Sequence, residues 1–427
     1  MAGSEPVHSL LTIFLKQPPS CLEFCPTAPN YLVIGTYLLQ ETKLEDSESP
    51  QQTKTGSVQL FQLDPKTPSL LQIQRIPLPH AVFDLHFSPR NPSIFAIATS
   101  AASVSLFRVQ TSHDDNNKDA GTCPPHPKIT PLQTISVHDD PTIPVLYLAW
   151  APPAITLRRD ASTDAFAVCF SDGQISIFNT NPPNYEFSTS EMSERQLLPT
   201  GPAIVEVWYV AFHSIHGNEA PLLFSGDDFG CLTAHEFSAD RGDWTDGEFP
   251  LESLKTSDRG RYHGAGVTAI LPLYSNETGT VLLTGSYDEN IRVVHRTAAG
   301  KWEVFAEKSL GGGVWRLKCL DSQPSSVLRE GAENEHSYLI LASCMHAGTR
   351  VLRVSCLAGG ESGSEDNTWE IEILHEFTEH ESMNYASDVF RGNAGPGRQG
   401  SISKDLDLLV VSSSFYDMRV CVWKAGV

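Results

Sequence analysis

Thr284-Gly285-Ser286-Tyr287-Asp288-Glu289-Asn290-Ile291-Arg292-Val293 reads as one tight hairpin. Small residues end a strand, an Asp occupies the turn, and a β-branched strand leaves it. The same order recurs at Phe170-Ser171-Asp172-Gly173-Gln174-Ile175-Ser176-Ile177-Phe178, at Ser225-Gly226-Asp227-Asp228-Phe229-Gly230-Cys231-Leu232 and from Ser414-Phe415-Tyr416-Asp417 to Val422-Trp423. Around each hairpin the chain alternates apolar and polar residues over five to nine positions, and helical periodicity is almost absent.

Outward from these hairpins the chain divides into seven units, each a first strand, a gap and two strands joined by a turn. They are 31–39 with 56–63, 81–88 with 94–109, 143–150 with 165–178, 206–213 with 222–237, 266–274 with 281–296, 313–320 with 338–354, and 385–390 with 407–423. The pattern resembles the WD-repeat signature of four-stranded propeller blades, although the terminal Trp-Asp is missing almost everywhere. The reading is all-β: a seven-bladed WD40-like β-propeller forming a single domain over 1–427. The last unit stops at Trp423 and residues 8–15 read as a strand without a hairpin partner. This N-terminal strand is therefore expected to close the last blade and cover its free edge. Polar insertions at 40–55, 111–128, 181–200, 240–262, 321–336, 358–369 and 391–404 are expected to be loops.

Composition narrows the functions. The 427 residues carry 30 Lys and Arg against 51 Asp and Glu, a formal net charge of −21. That balance argues against nucleic-acid binding, which needs a basic footprint, and favours cationic partners. No run approaches the ~18 apolar residues of a membrane span. The start, Met1 to Lys16, lacks a basic flank and makes a poor signal peptide. Nine cysteines, with no C-x-x-C pair, fit reduced thiols in a cytosolic or nuclear protein.

Common catalytic motifs are missing: no G-x-S-x-G elbow, P-loop, H-E-x-x-H or dinucleotide fingerprint occurs. Cys344 and His346 would share one face of a strand, but no second pair stands near them, so no metal is expected. Asp172, Asp228, Asp288 and Asp417 read as turn aspartates tied to their own blades, with His263 and His380 placed as partners. In the sixth unit, aligning Ala342–Val351 on Thr284–Val293 puts His346 where Asp288 stands, and an imidazole suits proton transfer near neutral pH. Just upstream, Gly311-Gly312-Gly313 permits a close backbone approach before Trp315 and Arg316. A plain turn and a core Trp would produce the same pattern. His380 to Asp388 contains Ser, His and Asp, yet neighbours in sequence are not a triad.

Taken together, Gly35-Thr36-Tyr37, Thr284 to Glu289, Gly312 to Lys318, Ala342 to Gly348, His380 to Asp388 and Ser414 to Lys424 resemble the diphthine methylesterase family of WD-repeat proteins. Here Ala386-Ser387 and Val389 depart from the family's pattern. The resemblance implies hydrolysis of the methyl ester of methylated diphthine, a modified histidine on translation elongation factor 2, on the way to diphthamide. It implies no cofactor. Such a substrate sets the ester beside a trimethylammonium group, which aromatic faces and acidic neighbours hold well. Trp315, Tyr385, Tyr287 and Tyr416 are the candidate faces and Asp388 the candidate counter-charge. His346 is the candidate general base, and Arg316 or a backbone N–H of Gly312 or Gly313 the oxyanion donor. Ser414 or Cys344 as covalent nucleophile is the competing mechanism, and a non-enzymatic scaffold the competing function.

Overall fold

The structure, a computed structural model, describes residues 7–42, 51–110, 127–155, 164–180, 196–198, 205–213, 221–237, 255–324, 336–357, 368–392 and 407–426. Among these residues there is no helix, and every strand belongs to one of seven four-stranded antiparallel sheets. Strand β1 (Ser9–Phe14) stands apart in sequence. Blade one is β2 (Pro19–Phe24), β3 (Tyr31–Thr42), β4 (Gln51–Asp64) and β5 (Ser69–Leu78). Blade two is β6 (Val82–Phe87), β7 (Ile94–Thr99), β8 (Ser103–Gln110) and β9 (Lys128–Ser136). Blade three is β10 (Val145–Trp150), β11 (Asp164–Phe170), β12 (Ile175–Thr180) and β13 (Gln196–Leu198). Blade four is β14 (Val207–His213), β15 (Leu222–Asp227), β16 (Leu232–Glu236) and β17 (Lys255–Ser257). Blade five is β18 (Val267–Asn276), β19 (Gly279–Ser286), β20 (Asn290–Thr297) and β21 (Trp302–Ser309). Blade six is β22 (Arg316–Pro324), β23 (His336–Ser343), β24 (Thr349–Leu357) and β25 (Thr368–Phe377). Blade seven is β26 (Ala386–Phe390), β27 (Asp407–Ser414) and β28 (Arg419–Gly426), completed by β1.

The expected closure is present: β1 pairs antiparallel with β28, Thr12 opposite Cys421 and Phe14 opposite Arg419. Blade one corrects the sequence reading. Its inner strand is β2, so 31–39 and 56–63 lie in the second and third strands rather than opening the unit. The interiors of the expected insertions fall outside the described residues. Most of their described ends are strand, not loop: 40–42 and 51–55 extend one hairpin, and Lys255–Ser257 is the outer strand of blade four.

Apolar clusters straddle the boundaries between blades, so the core is a belt running around the ring. One sequence rule makes that belt tight. The residue of the second strand that faces the start of the next blade is small. A Cβ added at Gly35, Gly226 or Gly285 would lie 2.7, 2.7 or 2.6 Å from Val82, Val267 or Val314, respectively, which open the following inner strand or, for Val314, stand two residues before it. Ser20 and Thr268 fasten the same seam, their hydroxyls donating to Val82 O at 2.6 Å and Val314 O at 2.5 Å.

Three of the four turn aspartates, Asp172, Asp288 and Asp417, and both histidines are structural, the histidines with a change of partner. Asp172 pairs with His138 Nε2 at 3.0 Å, Asp288 accepts from Gly264 N at 2.7 Å, and Asp417 accepts from Ser382 Oγ at 3.0 Å. His263 and His380 instead bond strand hydroxyls, Thr284 at 2.9 Å and Ser412 at 2.8 Å. Burial pushes the His380 imidazole down from 6.5 to about 4. The folded protein thus holds it neutral. Its contribution is intact above about pH 6.5 and drains away as pH falls toward 4, because the unfolded chain takes up the proton first. Urea midpoints should decline across that window, and His380→Asn should flatten the decline.

Candidate active site

Strand directions alternate within each blade. The start of every inner strand and the turn between its second and third strands therefore share one face of the ring. On that face aromatic side chains form an arc. Trp208, Tyr287 and Trp315 lie mutually 5.7 to 5.9 Å apart between ring centroids. Trp315 meets Tyr385 at 5.1 Å, Tyr385 meets Phe415 at 5.4 Å, and Phe415 meets Tyr416 at 5.0 Å. From Phe415 the arc continues to Tyr37 at 6.0 Å, and from Tyr37 to Phe83 at 5.3 Å. These edge-to-face and tilted contacts leave most of the rings half-buried, with Tyr416 67% exposed. Burial and Tyr416 push the Tyr385 phenol up to about 12, so it is a neutral donor at physiological pH.

The four aromatic residues expected from the sequence, Trp315, Tyr385, Tyr287 and Tyr416, thus belong to one arc. Trp208 and Asp228 were missed as site residues. The turn of blade four is held by Asp227, whose Oδ1 accepts from Phe229 N at 3.0 Å and Cys231 N at 2.8 Å. Asp228, read as the turn aspartate, is released from that task and accepts the Trp208 indole N–H at 2.8 Å. Two signals were available. The Asp227-Asp228 doublet supplies one carboxylate more than the turn needs, and Val207-Trp208-Tyr209 repeats the register of Val314-Trp315-Arg316.

Beneath the arc the inner strands line the central channel with charge. Contacts between distant blades fix which side chains point inward. Arg316 of blade six donates from Nε and Nη2 to Asp84 Oδ2 of blade two at 2.8 and 2.6 Å. Lys318 reaches Asp388 at 2.6 Å and Glu23 at 3.5 Å, and His86 lies 3.6 Å from Glu23 and 3.4 Å from Asp84. Tyr147 donates its hydroxyl to Tyr209 at 2.8 Å. Burial alone would raise the Asp84 carboxyl, but Arg316 and His86 outweigh it and hold the group well below the usual range. Burial likewise opposes the charge on His86, yet Asp84 and Glu23 carry its imidazole up to about 9. Opposite charges at these separations in a low dielectric dominate desolvation.

This channel corrects several assignments. Four of the five N–H donors of Arg316 are engaged within the protein. Beyond Asp84, its Nη1 bonds Thr268 O at 3.1 Å and Trp315 O at 2.8 Å, and its guanidinium lies 4.5 Å from the Trp315 ring and 4.8 Å from Tyr147. It orients Trp315 rather than a reacting atom. Asp388 is no counter-charge for a ligand, since it already accepts from Lys318 and from Phe24 N at 2.9 Å. Gly312 and Gly313 approach their own chain: a Cβ would lie 2.4 Å from Cys344 O or 2.7 Å from Met345 Sδ.

His346 and Cys344 do not share a face. Strand β23 ends at Ser343, and a left-handed Met345 (φ 42°) turns the chain so that Cys344 is buried while the His346 side chain is 56% exposed. His346 Nε2 stands 4.0 Å from Glu289, and His346 touches neither Arg316 nor the arc among the described residues. Burial lifts the Cys344 thiol to about 12, which removes it as a thiolate nucleophile. Ser414 is buried and bonded to Ser382 Oγ at 2.9 Å. His380 faces Ser412 while Ser382 faces Asp417, so no triad forms there.

The chain aligns along nearly its whole length with curated proteins. It is 25% identical over 413 residues to the diphthine methyltransferase of Schizosaccharomyces pombe, covering 97% of this chain and 96% of that protein. The chain is similar to the diphthine methyltransferases. The protein of that name from Saccharomyces cerevisiae is 24% identical over 439 residues, 96% of each chain. The Homo sapiens protein is 24% identical over 399 residues, 89% of this chain and 74% of that one. No family model matches. Among solved structures, a chain of the mitotic checkpoint complex superposes with a TM-score of 0.53 at 12% identity, covering 99% of this chain and 94% of that one. Sqt1 from Chaetomium thermophilum gives 0.52 at 14% identity, covering 98% and 99%. These two likenesses are of fold alone.

Proposed function

We propose that this chain hydrolyses the methyl ester of methylated diphthine on translation elongation factor 2, one step towards diphthamide. Water attacks the ester carbonyl, the bond to the methoxy oxygen breaks, and methanol leaves with a carboxylate and a proton as the other products. The observation that carries the reading is the aromatic arc beside Asp228, a surface suited to the quaternary ammonium that neighbours this ester. The relatives' name points to the same modified residue. The chain's net charge of −21 suits docking onto a basic partner surface.

Hydrolysis needs a base for the attacking water. We assign it to Glu206, two residues before Trp208; the Glu206 main-chain oxygen accepts from Asp228 N at 2.9 Å, and the Glu206 carboxyl is raised above its ordinary value by burial and by Asp228. A raised carboxylate is a stronger base than a free one. Phe229, 72% exposed on the blade-four turn, together with Tyr416, also suits protein docking, which is the observation favouring a scaffold.

The deciding assay is methanol release from methylated elongation factor 2 with no methyl donor added. Release by the purified chain is expected; a scaffold releases none, and a methyl-transferring enzyme requires the donor. In the same assay Glu206→Gln should lose roughly 10²-fold, whereas His346→Ala should stay within about threefold. A comparable loss in His346→Ala would return the base to the blade-six turn.

A further inference from the structure

The register of the second strands gives one column of residues at the edge of the arc: Tyr37, Asp228, Tyr287, Met345 and Phe415 in blades one, four, five, six and seven. Asp228 is the only acid in this set. Its Oδ1 holds the Trp208 indole, and its Oδ2 has no partner among the described residues. The Asp228 N–H donates to Glu206 O at 2.9 Å, which sets the two acids side by side at the edge of the arc, and the Arg316 guanidinium stands on the channel side, 4.5 Å from the Trp315 ring. No basic side chain among the described residues pairs with either acid, although the channel just below matches Asp84, Glu23 and Asp388 with Arg316, His86 and Lys318. Asp228 is only half-buried.

Two uncompensated carboxylates against three mutually touching rings select a particular kind of ligand. A small, strongly hydrated cation would gain from the acids and lose its water against the rings. An alkylated ammonium is weakly hydrated, offers no N–H, and gains from both ring faces and carboxylates. We propose that Asp228, Glu206, Trp208, Tyr287 and Trp315 form a subsite for a quaternary ammonium group. Resting on the esterase reading, this subsite orients the substrate through its trimethylammonium while the ester is cleaved beside it.

The test uses the full chain and two small probes of equal shape, choline and its uncharged carbon isostere 3,3-dimethylbutan-1-ol. Tryptophan fluorescence and NMR line broadening report binding. Choline is expected to saturate in the millimolar range, with the isostere at least about tenfold weaker. Asp228→Asn keeps an acceptor for the Trp208 N–H yet should weaken choline about tenfold, and Glu206→Gln should do the same independently. Glu303→Gln, on the outer strand of blade five, should change nothing. Equal binding of the two probes, no saturable binding, or an unchanged Asp228→Asn protein would each overturn the subsite. Neither probe contains an ester. If choline binds as expected and no methanol is released from the modified factor, the esterase reading falls and the cation subsite stands. If methanol is released and choline fails to compete, the subsite alone falls.

Discussion

Replacing Asp84 by Ala should destabilise the protein by about 3–5 kcal/mol, seen as a lower urea midpoint. The carboxylate is buried and takes two donors of Arg316 across the channel, 232 positions away in sequence. Its removal strands a guanidinium among Trp315, Tyr147 and Tyr209, with only carbonyls left to accept. His86 loses its nearer partner as well. The cost belongs to the orphaned charge rather than to the pair. The double variant Asp84→Leu with Arg316→Leu should therefore recover much of the loss. The pH signature has the opposite sign to that of His380. His86 is raised to about 9, so its contribution is complete below the ordinary value near 6.5 and disappears as pH rises through 9. In Asp84→Ala that alkaline decline should shrink. A variant as stable as the parent, with an unaltered alkaline limb, would mean that the channel network contributes nothing net.

Trp423→Ala should cost a similar amount, about 3–5 kcal/mol. The indole is fully buried in blade seven, lies parallel to Phe377 at 4.9 Å between centroids, and donates to Ser412 Oγ at 3.0 Å. The same hydroxyl meets His380. Truncation opens a cavity and leaves the Ser412 and His380 pair short of one partner. Trp423→Phe keeps the stacking and loses the N–H, so a cost of only about 1–2 kcal/mol is expected. If the two substitutions cost the same, the hydrogen bond and not the packing holds this corner.

Short apolar runs rich in Val, Ile and Phe exposed the middle strands of the blades, because those strands are buried on both sides. The outer strands escaped. Trp302–Ser309, WEVFAEKS, keeps one face in water and reads as a polar linker until a partner strand is placed beside it. Pro19–Phe24 escaped as well, since its Pro and Ser look like punctuation; Pro is tolerated there because it opens an inner, edge-facing strand. In the site, the aromatic residues could be read because ring faces are conspicuous in small-residue turns. The partners of the charged residues could not. Arg316 and Asp388 are defined by contacts with Asp84, Lys318 and Phe24, and sequence spacing carries no trace of pairs that span the ring. The alignment that set His346 on Asp288 agrees with the register, Ala342 standing opposite Arg350 as Thr284 stands opposite Arg292. The shared face of Cys344 and His346 failed for a local reason: one left-handed residue, Met345, turns the strand into a corner and undoes the alternation.

The union of Ser9–Phe14 with Arg419–Gly426 sets an order of assembly. Synthesis delivers the closing segment first and the segment it must meet last. On the ribosome the nascent chain therefore carries one orphan ribbon, able to pair with any free rim, until Arg419–Gly426 emerges. Blades one to six can mature while it waits, and the late encounter of Ser9–Phe14 with Arg419–Gly426 is the natural point for a chaperone to attend and for two copies to exchange strands.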